Sequence, residues 1–106
     1  MTIINLTPHE VQVVLTNPLV KVIYAKSNLP VRIETITEEI GTIKGFIPLF
    51  YTELGQVVNL PMECEDTLYI VSRMVKNACP NRKDFIIPSG LVRDENGVII
   101  GCKGFE

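Results

Sequence analysis

The chain predicts an α+β domain: a mainly antiparallel sheet or small barrel with one short helix in a strand–helix–strand unit. Three observations carry this. The stretch Thr67-Leu-Tyr-Ile-Val-Ser72-Arg-Met-Val-Lys-Asn-Ala-Cys79-Pro80 changes hydrophobic period midway. It is a continuous apolar run to Val71, and from there Val71, Met74, Val75 and Ala78 take the i, i+3, i+4, i+7 spacing of one helix face. Second, Asp94-Glu-Asn-Gly97 lies between the apolar runs Leu91-Val-Arg93 and Val98-Ile-Ile-Gly-Cys102, a strong hairpin signal. Third, short β-branched runs punctuated by Pro, Gly and Asn fill most of the remaining length.

Taken in order, Ile3-Ile-Asn-Leu6 and Val11-Gln-Val-Val-Leu15 read as strands. Thr7-Pro-His-Glu10 between them fits either a capping box or a type I turn with Pro8 at its second position. The β-rich residues that follow favour the turn and hence a hairpin. Asn17-Pro18 marks a further turn before Val20-Lys-Val-Ile-Tyr24, and Ser27-Asn-Leu-Pro30 is a loop. Val31-Arg-Ile-Glu-Thr-Ile-Thr37 alternates like a half-buried strand. Gly41 and Gly45 punctuate the middle, and Pro48 makes its strand an edge or a bend. Leu54-Gly55 reads as a turn into Gln56-Val-Val-Asn59, and Leu60 to Asp66 as a loop. Ser72 caps the helix within residues 71–79 and Pro80 ends it. Asp84-Phe-Ile-Ile-Pro88 resumes as a strand, giving a pair that crosses over right-handed if parallel.

With 106 residues the chain is one domain, residues 1–106, and 46% apolar composition excludes disorder. A chain this small buries a modest core, so homo-oligomerisation is expected to add stability. Gly45-Phe-Ile-Pro-Leu-Phe-Tyr51 is more apolar than one sheet face requires. Phe46, Leu49 and Tyr51 either meet another subunit or close the sheet within one chain. The start of the chain lacks a basic segment followed by a long apolar one, and no run reaches the length of a membrane span. The expectation is a cytoplasmic protein without membrane contact.

Cys64, Cys79 and Cys102 are odd in number and lack CxxC spacing, which suits a reducing compartment and small buried or half-buried thiols. With His9 they make a Cys3His set only formally, since no two lie close in sequence; neither metal nor cofactor is expected. Residues 1–66 set four cations against eight acids, a charge of −4, while residues 67–106 set six against four, a charge of +2. The split is too small for duplex nucleic acid. It does centre positive charge on the strand–helix–strand unit.

The candidate ligand-binding residues are His9, Ser72, Arg73, Arg82, Asp84 and Arg93. Ser72 and Arg73 open the helix, where free N–H groups favour an anion. Arg82 and Arg93 can grip a phosphate or carboxylate while Asp84 orients one of them. Each also has a plainer role: Ser72 as a cap, the charged residues as solvated surface, His9 as a turn residue. His9 as a general base, or paired with Cys102, has no local hydrolase signature around it. Walker A, GxGxxG, HExxH and GxSxG motifs are all missing from the sequence.

Asn5-Leu-Thr-Pro-His9, Asn59-Leu-Pro61, Thr67-Leu-Tyr-Ile-Val-Ser72, Pro80 with Arg82 and Asp84, and Val92-Arg-Asp-Glu-Asn-Gly97 before Gly101-Cys102 form an ordered set. Together they resemble an uncharacterised family of small phage and bacterial proteins. The match is poor over residues 17–55, and where family members carry a glycine before Leu60-Pro61 this chain has Asn59. The resemblance implies a phage or prophage setting, in which small proteins of this kind include host-defence inhibitors that sequester nucleotide signals. The function expected is a small phage-type binding protein that captures a nucleotide-like anion to counter host defence. The alternatives are an inhibitor that masks a host protein through its sheet edge or apolar loops, and a small hydrolase using His9.

Overall fold

The computed structural model describes residues 1–16 and 19–106. The turn expected at Asn17-Pro18 lies outside them. The strands are β1 (Thr2–Asn5), β2 (Val11–Thr16), β3 (Leu19–Tyr24), β4 (Arg32–Ile43), β5 (Ile47–Val58), β6 (Thr67–Ile70), β7 (Phe85–Ile86), β8 (Pro88–Arg93) and β9 (Ile99–Phe105). The helix α1 (Arg73–Ala78) joins β6 to β7. The protein is thus mainly β rather than α+β, because the helix is a six-residue crossover and adds no layer of its own.

Sheet pairing is more mixed than the sequence suggests. β1, β6 and β7 form a wholly parallel sheet in the order β1-β6-β7. A second sheet runs β3-β2-β9-β8, antiparallel at both ends and joined parallel at Val13 and Cys102. Among the described residues β4 and β5 pair only with each other. Among the described residues no sheet closes into a barrel.

The central strand β6 explains the core. Its run Tyr69-Ile70-Val71 is buried on both faces, as parallel strands are. Tyr69 and Val71 meet Val31, Val75, Phe85 and Ile87 on one side. Ile70 meets Val11, Val13 and Cys102 of the second sheet on the other. The sequence pattern for the helix holds at its ends: Ser72 Oγ accepts from the Val75 N–H at 3.2 Å, and Cys79 closes it. Its buried face differs. Val75 is buried and Cys79 packs against the core, whereas Met74 is 52% exposed.

Two turns separate the expected from the observed. At 94–97 the hairpin forms as expected, but only Gly97 takes positive φ, at 79°. The Asp94 carboxylate accepts from the N–H groups of Asn96 and Val98, and a register shift lies beside Arg93. At 7–10 there is no hairpin, since β1 pairs with β6 and β2 with β3 and β9. The segment instead carries the chain from one sheet to the other. The side chain of buried Asn5 shapes it, donating to the carbonyls of His9 at 2.8 Å and Tyr24 at 3.2 Å. Its oxygen accepts from the Thr7 N–H at 3.0 Å and hydroxyl at 2.7 Å.

The largest departure is the middle of the chain. β4 and β5, of 12 residues each, make one long hairpin turning at Lys44-Gly45, both with positive φ as a type I′ turn requires. Its root is tied in by Ile33 and Val57, but every residue from Glu34 to Gln56 is exposed. Val31–Thr37 is therefore half-buried only at Val31 and Ile33 and exposed from Glu34 on, and Leu54-Gly55 is not a turn but lies at a bulge within β5. The register sets Ile36, Ile43, Ile47, Leu49 and Tyr51 on one face, and Phe50 and Leu54 with hydrogen-bonded Thr37 and Thr52 on the other. This arm extends the molecule to 59 × 40 × 23 Å.

Candidate functional site

The six candidate residues do not converge on one site. Arg82 and Asp84 form a fork-to-fork pair, Nε to Oδ1 and Nη2 to Oδ2 both at 2.8 Å. The remaining Arg82 Nη1 donates to the Pro61 carbonyl at 2.8 Å, and the guanidinium sits 4.4 Å from the centre of the Phe85 ring. Both side chains are largely buried. The Arg82 hydrogen bonds hold the Asp84 carboxyl below the usual carboxylate range, and Asp84 in turn pushes Arg82 up. With Tyr69, whose hydroxyl donates to the Met62 carbonyl, the pair clamps the loop after β5 onto the strand–helix–strand unit. Each of the three guanidinium nitrogens thus already has a partner within the protein. Arg93 Nη1 donates to the Gly97 carbonyl at 2.8 Å within its own hairpin.

The other three candidates share a cleft. His9, Ser72 and Arg73 line a depression of about 400 Å³ between the β1–β2 connection and the start of α1, floored by Val11, Val71 and Ile87. Ser72 is engaged there as the helix cap. Arg73 reaches Glu106 at 3.4 Å, and both are more than half exposed, so the pair is weak and separable. The helix behind them has six residues, too short for the aligned dipoles that the anion-binding expectation used. The cleft is mostly apolar with a polar rim, and suits a ligand with one flat or aliphatic part and one charged part.

Cys102 is a buried thiol and Cys79 a half-buried one, whereas Cys64 is exposed, against the expectation for it. Cys102 is 2% exposed, and its Sγ donates to the Gln12 carbonyl at 3.4 Å. It is therefore no partner for exposed His9 as a nucleophile pair. Among the described residues no group of three or more His, Cys, Asp and Glu side chains gathers where a metal could sit.

Phe46, Leu49 and Tyr51, the interface candidates of the sequence, sit on an arm larger than that stretch implies. Nine large apolar side chains stand exposed there: Ile36, Ile40, Ile43, Phe46, Ile47, Leu49, Phe50, Tyr51 and Leu54. Two equal runs flanking Lys44-Gly45 were the available signal, obscured by taking Leu54-Gly55 as a second turn. A second, larger depression of about 500 Å³ runs between β2 and the β8–β9 hairpin, with Val11, Leu91, Ile99 and Ile100 in its walls and Lys21 at its edge.

The Asn-Leu-Thr-Pro-His and Asn-Leu-Pro motifs have structural roles. Asn5 organises the crossing between sheets. Asn59 takes φ of 63°, a conformation natural to glycine and tolerated by Asn, and its amide donates to the Pro30 carbonyl at 3.0 Å. Among the described residues no helix is long and apolar enough to cross a membrane. Comparison with protein-family models, curated proteins and solved structures finds no match to the chain.

Proposed function

We propose that the chain is a protein-binding module whose β-hairpin arm engages a protein partner, in the phage or prophage setting that the motifs suggest. One observation carries this: residues 34–56 project as a ribbon exposed throughout, with large apolar side chains on both faces. Monomers rarely expose apolar patches beyond a few hundred Å². A two-stranded ribbon is also only marginally stable in water without a further layer. The mask on a host protein was expected from a sheet edge or apolar loops; the arm supplies both in one element. The test is arm-dependent association. Phe50→Asp with Tyr51→Asp is expected to abolish a polypeptide contact of fixed stoichiometry, to itself or to another protein, while the melting temperature of the body holds. A wild-type chain that contacts no polypeptide overturns the reading.

A second reading, capture of a nucleotide-like anion, draws support from the cleft that His9, Ser72 and Arg73 share. In this reading a base or other flat group lies on Val11, Val71 and Ile87, and Arg73 exchanges Glu106 for the anion. Arg73→Ala is then expected to lower affinity by about tenfold to a hundredfold in nucleotide titration calorimetry. Unchanged affinity places the ligand elsewhere.

A further inference from the structure

A compact monomer of this mass exposes about 5,900 Å² of surface. This chain, at 11.9 kDa, exposes 7718 Å². The excess, about 1,800 Å², exceeds the roughly 800 Å² that each partner contributes to a standard interface. Its radius of gyration is 17.6 Å, against about 13 Å for a compact chain of this length. The arm contributes to the difference, and its 23 exposed residues, 34–56, match the 20 to 30 per side of a typical interface.

Charge indicates what covers it. Between residues 34 and 56, Glu34, Glu38, Glu39 and Glu53 oppose only Lys44, a charge of −3. The rest of the chain has nine cations against eight acids, a charge of +1. Two arms laid on each other would set −3 against −3, whereas an arm laid on the nearly neutral body avoids that repulsion. The body offers a landing place in the groove between β2 and the β8–β9 hairpin, where Leu91, Ile99 and Ile100 are 54%, 50% and 40% exposed and Lys21 and Glu10 balance each other in the lining. Each arm strand of 12 residues spans about 40 Å, enough to cross a neighbouring body.

We propose that the arm's partner is a second copy of this chain, and that two copies exchange arms, each acidic apolar ribbon seated in the other's β2–β8–β9 groove. The inference rests on reading the arm as a protein-binding surface. Such an exchange is isologous: both arms and both grooves are used, so the assembly closes at two.

Light scattering and sedimentation of the full chain at micromolar concentration test it. The expected mass is twice 11.9 kDa. Leu49→Asp in the arm and Leu91→Asp in the groove should each yield monomers with the wild-type circular dichroism spectrum. Mixed together, they should form a heterodimer through the one arm and one groove left intact. Glu38→Gln with Glu53→Gln should raise the dissociation constant about tenfold, and added salt should weaken the wild-type dimer. A dimer that survives Leu91→Asp, or tightens on loss of the arm's acids, overturns the exchange in favour of arm-on-arm packing. A wild-type monomer overturns self-association altogether. If that monomer holds another polypeptide and Leu49→Asp releases it, the arm's protein-binding role stands alone; if it holds none, both readings fall.

Discussion

Asn5 and Asp84 show how single polar residues hold this protein together. Asn5 is buried, yet both ends of its amide are satisfied within the crossing from β1 to β2. Asn5→Ala leaves carbonyls of His9 and Tyr24 without that donor. It should cost about 2 to 3 kcal/mol and lower Tm by on the order of 10 °C, as read by calorimetry. Asp84 acts through charge. Its folded pKa lies below the ordinary 3.8 because Arg82 bonds its charged form. The pair therefore stabilises fully above that ordinary value, and the contribution is lost as pH falls through the folded one. Arg82 stays charged throughout. Urea unfolding of Asp84→Asn should show a loss of about 3 kcal/mol at pH 7, left by an unpaired buried guanidinium, and a smaller drop than wild type below pH of about 4. By the same logic Arg82→Ala damages folding, whereas Arg73→Ala, at an exposed pair, leaves Tm nearly unchanged.

The helix shows what one element contributes when it is too short to stand alone. Six residues cannot sustain a helix in water, so α1 depends on its cap and on its buried Val75. Ser72→Ala should cost about 1 kcal/mol. Val75→Ala should cost about 2 kcal/mol, while Met74→Ala stays within about 0.5 kcal/mol, because the first is 1% exposed and the second 52%. Equal losses at Met74 and Val75 in thermal melts would contradict this placement of the helix face. The arm is the opposite case. Its strands are bonded to each other along their length, and bulges near Ile40 and Gly55 increase its twist. Its apolar side chains stay largely exposed beyond the root.

At the scale of the molecule, a body of two packed sheets and a projecting ribbon divide the work. α1 and the arm's root lie on one side of the parallel sheet and the mixed sheet on the other. The body can fold around β6 whether or not the arm is covered. Trypsin offers a direct reading of the arm. Lys44 lies at its exposed turn, so cleavage after Lys44 should be fast in dilute protein. It should slow as concentration rises and arms become covered; mass spectrometry of the two fragments follows it. A cleavage rate independent of concentration would show that the turn stays free in every assembly state.

Local chemistry was legible in the sequence by itself: the Ser72 cap, the stop at Pro80, the Gly97 turn and the paired strands around α1. Each depends on residues close along the chain, whose dihedral preferences and short hydrogen bonds act without a distant partner. Arg82 and Asp84 were legible as a pair but not as a closed one. Only the tertiary structure brings the Pro61 carbonyl and the Phe85 ring to complete the guanidinium's contacts. Thr7 to Glu10 was compatible with a hairpin until β6 came to lie parallel beside β1, a choice made by burying Ile70 and Val71 on opposite faces. Alternation in residues 31–37 likewise announced a strand with an apolar face, but alternation is the same whether that face meets its own core or solvent. The tertiary structure decided that only Val31 and Ile33 of this strand meet the core, which Val75, Phe85 and Ile87 close beside them, while the strand runs on into solvent from Glu34.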